Sequence, residues 1–179
     1  MNSPVVIVLA AGQGTRFYAS GASEHKLDAL LKGKTVLDRT LEAVKSSGLP
    51  WYLVRPDGGT AGMGDSIRKG ITATLQAEGW LILPADLPLI KTETLRRIAA
   101  ALKHHALVIP CYQMRRGHPV GFSRRYLPQL LTLTGDTGGR EIVVKAHRSG
   151  ETLNLAVDDV GIVHDIDTLA DLYSATKLV

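Results

Sequence analysis

The sequence predicts a three-layer α/β sandwich built on a mostly parallel sheet. Three observations carry that expectation. Short apolar runs, Val5 to Leu9 and Trp80 to Leu83, have the content of strands covered on both faces. Segments with helical spacing of apolar residues separate such runs, and that alternation builds βαβ units with right-handed crossovers. The 179 residues suffice for one sizeable core and fall short of two ordinary domains, so residues 1–179 are expected to form a single domain.

The elements follow in order. After Val5 to Leu9, "TVLDRTLEAVKSSG" sets Val36, Leu37, Leu41 and Val44 on one helical face and ends on Gly48. Trp51 to Val54 is a short strand. "DSIRKGITATLQAEG" is a second helix, with Asp65 or Ser66 as its cap and Gly79 as its stop. Trp80 to Leu83 follows as a strand, and "TETLRRIAAALKHH" as a helix capped by Thr92, with acids early and basic or histidine residues late, as the macrodipole favours. Leu107 to Pro110 is a further strand. Beyond Cys111, "GHPVGF" reads as a short strand entered through a turn, and "RRYLPQLL" and "GGREIVVKAHR" read as short helices. A compact strand at Gly161 to His164 and a helix from Thr168 to Leu178 close the chain. No internal repeat, low-complexity tract or linker interrupts it.

Composition narrows the function classes. Hydrophobic residues make up 45% and charged residues 21%, values of a globular chain. Twenty-one basic against 17 acidic residues leave a net charge of +4, yet no Lys or Arg run forms a nucleic-acid stripe, and 5% aromatic content offers few stacking platforms. Nucleic acid is therefore not an expected partner, and phosphorylated small molecules fit better. The single cysteine, Cys111, excludes an intrachain disulfide framework and makes the cytoplasm the expected compartment. The opening apolar run is far shorter than the ~20 residues of a membrane span, so no membrane association is expected.

The loop after the first run reads Leu9, Ala10, Ala11, Gly12, Gln13, Gly14, Thr15, Arg16. Glycines let backbone amides approach an anion, and the arginine adds a permanent forked charge. A phosphate chain suits such a loop, although a plain structural turn uses the same residues. Two familiar phosphate fingerprints fail. A dinucleotide loop wants a third glycine where Phe17 stands and a helix at once, whereas loop-like "YASGASEH" follows. "GKT" at Gly33 to Thr35 resembles the end of a P-loop, but Asp28 stands where its first glycine belongs. The scattered histidines, His25, His104, His105, His147 and His164, show no zinc spacing with Cys111 and read as surface or core. No Gly-x-Ser-x-Gly elbow is present, which removes the commonest serine hydrolase reading.

Taken as a series, "LAAGQGTRF", Lys26, "GMGDSIRKG", "LPADLPLI", "GHPVGF", "GDTGGR" and "DIDTLADL" resemble the molybdenum cofactor nucleotidyltransferases, in the expected order from Val6 to Leu172. Ala11 resembles the cytidylyltransferase branch, since the guanylyltransferase branch usually carries glycine there. The resemblance implies a Rossmann-like sandwich of the nucleotide-diphospho-sugar transferase type. It implies transfer of CMP from CTP to a phosphorylated, pterin-type acceptor with release of pyrophosphate, aided by Mg2+, and possible delivery to a molybdoenzyme.

The same resemblance assigns residues. Leu9, Ala10, Ala11, Gly12, Gly14, Thr15, Arg16 and Lys26 would hold the nucleotide's phosphates, with Arg16, Lys26 and Asp86 as the catalytic set. The chain is longer than the family between Phe17 and Lys26, so Lys32 and Lys34 remain rival lysines. Gly62, Gly64 and Ser66 would face the base or ribose, and Ser66 could instead be an N-cap. Asp86 would be a metal ligand, joined by Asp165 or Asp167 while the other caps the final helix. His118, Asp136 and Arg140 would face the acceptor, although Arg140 could pair with Asp136. Two other readings stand beside this one: a guanylyltransferase or related enzyme with another phosphorylated acceptor, and a non-catalytic maturation chaperone that carries cofactor.

Overall fold

A computed structural model describes residues 3–179. Strand β1 (Val5–Leu9) runs parallel to both β4 (Trp51–Val54) and β5 (Gly79–Pro84). Strand β6 (Leu107–Tyr112) pairs in parallel with β9 (Thr152–Ala156), and β8 (Val120–Ser123) lies antiparallel between β5 and β6. With β7 (Arg115–Arg116) on β6, the sheet runs β4-β1-β5-β8-β6-β7, with β9 also on β6. A separate two-stranded hairpin joins β2 (Leu30–Leu31) to β3 (Lys34–Thr35).

Alternation along the strands makes the three layers. Val6, Val8, Leu81 and Leu83 face one core, under α2 (Val36–Ser46) and α4 (Thr92–Ala101). Val5, Ile7, Trp80 and Ile82 face the other, under α3 (Met63–Ala73), α5 (Leu127–Leu131) and α6 (Arg140–Arg148). Strands covered on both sides need apolar residues at every position, which is why β1 and β5 lack a polar face. The expected mixed α/β sandwich with a mostly parallel sheet is therefore present. A short helix α1 (Thr15–Ala19) and a terminal helix α7 (Leu169–Thr176) complete the chain.

Several local expectations are corrected. A helix does begin at once after the glycine loop, but α1 lasts five residues. Helix α3 starts two residues before Asp65, with Gly62 at its N-cap, and ends at Ala73. Gly79 opens β5 instead of stopping that helix, and a Cβ there would meet the Phe122 carbonyl oxygen of β8 at 2.8 Å. Residues 160–162 form a 3-10 turn where a compact strand was expected. Strand β9 was not foreseen, although "TLNLA" alternates as a half-covered strand does.

Thr92 does not cap α4. Its hydroxyl donates to Ala43 O at 3.0 Å, the N-cap is Lys91, and Asp159, from far along the chain, braces the start of the helix through Lys91 and Thr94. The Asp159 carboxylate, 1% exposed, accepts from Lys91 N at 3.0 Å, Thr94 Oγ1 at 2.6 Å and Gly161 N at 2.9 Å. Removing it strands the buried Thr94 hydroxyl and Gly161 amide together with the part-buried Lys91 amide. Asp159→Ala is expected to cost about 3 kcal/mol, a fall of roughly 6–12 °C in Tm, checked by thermal unfolding.

Candidate active site

Parallel strands deliver their following loops to one edge of a sheet. Because β1 and β5 are neighbours, the glycine loop and the Ala85–Asp86 turn emerge together, tied by Ala85 N donating to Leu9 O at 2.9 Å. The fully buried Thr40 hydroxyl donates to Ala85 O at 2.7 Å and steadies this turn from beneath. A cleft of about 420 Å³ opens there, lined by Leu9, Ala10, Ala11, Gly12, Lys26, Gly62, Ser66, Asp86 and Asp136 among others. Gly14, Thr15, Arg16 and Gly64 are not on its lining, nor are Asp165 and Asp167. Gly14 instead takes the left-handed φ of 68° that turns the chain into α1.

The charged groups interlock. Lys26 Nζ lies 2.8 Å from Asp86 Oδ2 and 3.5 Å from Asp167 Oδ1. Arg16 Nη1 lies 3.0 Å from Asp167 Oδ2. Lys32 and Lys34 sit on the β2–β3 hairpin, where Lys32 donates to Val179 O and Lys34 pairs with Glu42, so only Lys26 of the three reaches this cleft.

Asp86, Asp165 and Asp167 each offer a carboxylate oxygen, and these lie within 4.8 Å of one another. Oδ1 of Asp86 is buried with no hydrogen-bond partner. Burial raises the Asp86 pKa; Lys26 opposes that rise, while Asp165 and Asp167 add to it. Burial likewise works against the Lys26 ammonium, but Asp86 and Asp167 outweigh it and leave that pKa raised. Hard oxygen donors, one of them without a partner, fit a divalent cation such as Mg2+ or Mn2+. Neither Asp165 nor Asp167 caps α7. Thr168 and Asp171 do so reciprocally, a capping box that leaves both aspartates in the acidic trio.

Ser66 is not an N-cap either. Its hydroxyl, buried inside the first turn of α3, meets Gly62 O at 3.1 Å and Thr60 Oγ1 at 2.6 Å. Gly62 and Gly64 serve a protein neighbour: a Cβ on Gly64 would stand 2.4 Å from Thr137 O and 2.7 Å from Thr134 O. That close fit lets the Gly64 amide donate to Gly135 O at 2.8 Å and sets Asp136 at the cleft. Gly64→Ala is expected to push this loop away at a cost of about 2 kcal/mol, seen as a lower Tm.

His118, Asp136 and Arg140 come together on a second cavity of about 720 Å³, which shares Met63 and Asp136 with the first. No ion pair joins Arg140 to Asp136 among the described residues. His118 precedes a cis Pro119 at the entry to β8. Its side chain is exposed on the cavity wall, yet the protein packed around the ring lowers its pKa, against the pull of Asp86 and Asp165. Sequence reasoning missed Arg116, two positions before the Gly-His-Pro turn, which also lines this cavity. It also passed over Thr60 and His25 on the cleft, and His25 is neither plain surface nor plain core.

The MobA-like NTP transferase domain family matches residues 6–153. The chain belongs to that family. As a MobA-like domain it is a nucleotidyltransferase by class, and the matched residues carry the glycine loop, Lys26 and Asp86. The bifunctional protein GlmU of Koribacter versatilis (strain Ellin345) is 27% identical over 144 residues, covering 66% of this chain and 29% of that protein. The MobA-like chain thus spans less than a third of that relative. A nucleotidyl transferase from Methanothermobacter thermautotroptrophicus (Mth528) has the same fold, with a TM-score of 0.80, 22% identity and coverage of 99% of this chain and 98% of that one. Rv0371c of Mycobacterium tuberculosis H37Rv, in a complex with manganese, gives a TM-score of 0.76 at 23% identity, with coverage of 99% and 100%. Among the described residues no helix is long and apolar enough to cross a membrane.

Proposed function

We propose that this MobA-like domain transfers CMP from CTP to a phosphorylated, pterin-type acceptor and releases pyrophosphate. The observation that carries the reading is convergence: a bare glycine loop, a part-buried lysine and Asp86 meet on one cleft at the ends of two adjacent parallel strands, with Asp165 and Asp167 beside Asp86. Ala11 in that loop favours CTP over GTP, by its resemblance to the cytidylyltransferase pattern.

An oxygen of the acceptor phosphate attacks the α-phosphorus of CTP, the new P–O bond forms, and the bond to the β-phosphate breaks. Such a nucleophile is already anionic near neutral pH, so no general base is required. His118, held toward its neutral form, orients the acceptor by hydrogen bonding and adds no charge. Lys26 and Arg16 move their charge from carboxylates to the triphosphate, where negative charge accumulates. Mg2+ held by Asp86 with Asp165 and Asp167 would neutralise phosphate charge and help fix the triphosphate.

The test is a pyrophosphate-release screen of the four common ribonucleoside triphosphates with Mg2+ against reduced pterin cofactor. Release from CTP in preference to GTP is expected. Preference for GTP would move the reading to guanylyl transfer. Binding of the pterin with no pyrophosphate from any triphosphate would make the protein a cofactor carrier that hands its cargo to a molybdoenzyme.

A further inference from the structure

His25 lies in the stretch between Phe17 and Lys26, and its ring is bonded at both ends. Nε2 lies 2.8 Å from Gly12 O, and Nδ1 accepts from Leu27 N at 3.1 Å. A carbonyl can only accept, so Nε2 carries the proton and Nδ1 the lone pair: the ring is a neutral bridge with one defined tautomer. The ring also packs edge-on to Tyr18 and lies against Gly14, where a Cβ would come within 3.4 Å of Nε2. Gly12, His25 and Lys26 all line the cleft.

From this bridge we infer that His25 is a positioning residue for polyphosphate: it ties the glycine loop to the backbone beside Lys26, so that the loop amides and the ammonium face one ligand in fixed register. The inference rests on the polyphosphate reading of the cleft. The loop itself supplies little to hold its own shape. Gly12 and Gln13 are exposed, and glycine loses more freedom on ordering than any other residue. A tether that orders the loop before the ligand arrives removes part of that cost from binding. The irregular connection from α1 to Lys26 would otherwise leave the lysine and the loop free to drift apart.

The two ring nitrogens can be tested separately. In His25→Gln the amide nitrogen reaches about as far as Nε2 and can still donate to Gly12 O. In His25→Asn the side-chain oxygen takes the place of Nδ1, keeps the bond from Leu27 N and cannot reach Gly12. His25→Phe keeps the packing on Tyr18 and loses both bonds. The probe is inorganic tripolyphosphate with Mn2+, titrated calorimetrically into the full chain, so that nucleotide choice and acceptor play no part. Affinity is expected to fall about tenfold in the Asn and Phe variants and less than about threefold in the Gln variant, with the melting temperatures little changed. Equal loss in the Gln and Asn variants would overturn the tether and leave His25 a cap of the 3-10 turn at Lys26. Unchanged binding in all three would overturn any role in positioning. Failure of the unaltered protein to bind tripolyphosphate would remove the polyphosphate reading together with this one.

Discussion

Asp86→Asn is expected to lower nucleotidyl transfer at least about a hundredfold while the protein stays folded. The residue sits just beyond the carboxyl end of β5, with one oxygen on Lys26 and the other buried and without a partner. The amide has nearly the same shape, so packing survives. It carries no charge, so it weakens both the hold on a divalent cation and the placement of Lys26. A preorganised charge at a site of developing negative charge is worth about 3 kcal/mol. Turnover would be read by coupled pyrophosphate release, metal affinity by Mn2+ titration, and integrity by circular dichroism. Full activity with full metal affinity would defeat the assignment of Asp86.

Lys26→Met should produce two separable losses. Turnover is expected to fall about a hundredfold, because the ammonium faces the same cleft as the glycine loop. Stability without metal should also fall by about 3 kcal/mol, since Lys26 and Asp86 are only 15% and 16% exposed and removal of one leaves the other charged and unpaired. That corresponds to a Tm lower by roughly 6–12 °C, shrinking when Mn2+ is added, because the metal restores positive charge to the carboxylates. The pH dependence has a definite sign. The pKa of Lys26 is raised above the ordinary lysine value of 10.5, so its contribution is present below that value and is lost only as pH rises beyond it. The difference in Tm between the two proteins should therefore stay level from neutrality to about pH 9. A variant as stable as the parent without metal would show that the ion pair contributes nothing.

The pair also shows why this site reads as poised for exchange. Without a ligand, Lys26 and Arg16 rest on the acidic trio, so the protein's own cations meet the carboxylates. On the proposed function, a triphosphate and a divalent cation arriving together would let each group trade one partner for a stronger one. Either alone must break an ion pair first.

The residues differ in how far their own neighbourhood reveals them. Val5 to Leu9 and Trp80 to Leu83 announce strands because burial on both faces leaves no room for polar residues, and that signal is local. The glycine loop and Asp86 are legible for a related reason: each follows such a strand directly, so chain order places both at one sheet edge. His25 was passed over because its two bonds run to Gly12 and Leu27, and nothing in the residue type separates a bridging imidazole from a surface one. Thr92 misled in the opposite sense. It has the right chemistry for a cap, but the helix begins at Thr92 itself, and its hydroxyl is drawn to the Ala43 carbonyl of the neighbouring helix.

The alternation of apolar runs and amphipathic segments was enough to specify the sandwich, because a strand or helix must bury its apolar face wherever it ends up. Which of Lys26, Lys32 and Lys34 lies on the cleft, and the gathering of both Asp165 and Asp167 into one acidic trio, came only with folding. Charges carry no local address: a carboxylate far along the chain can reach Asp86, cap a helix or face water, and packing alone selects among them. Once Thr168 and Asp171 had satisfied the last helix, both aspartates were left beside Asp86.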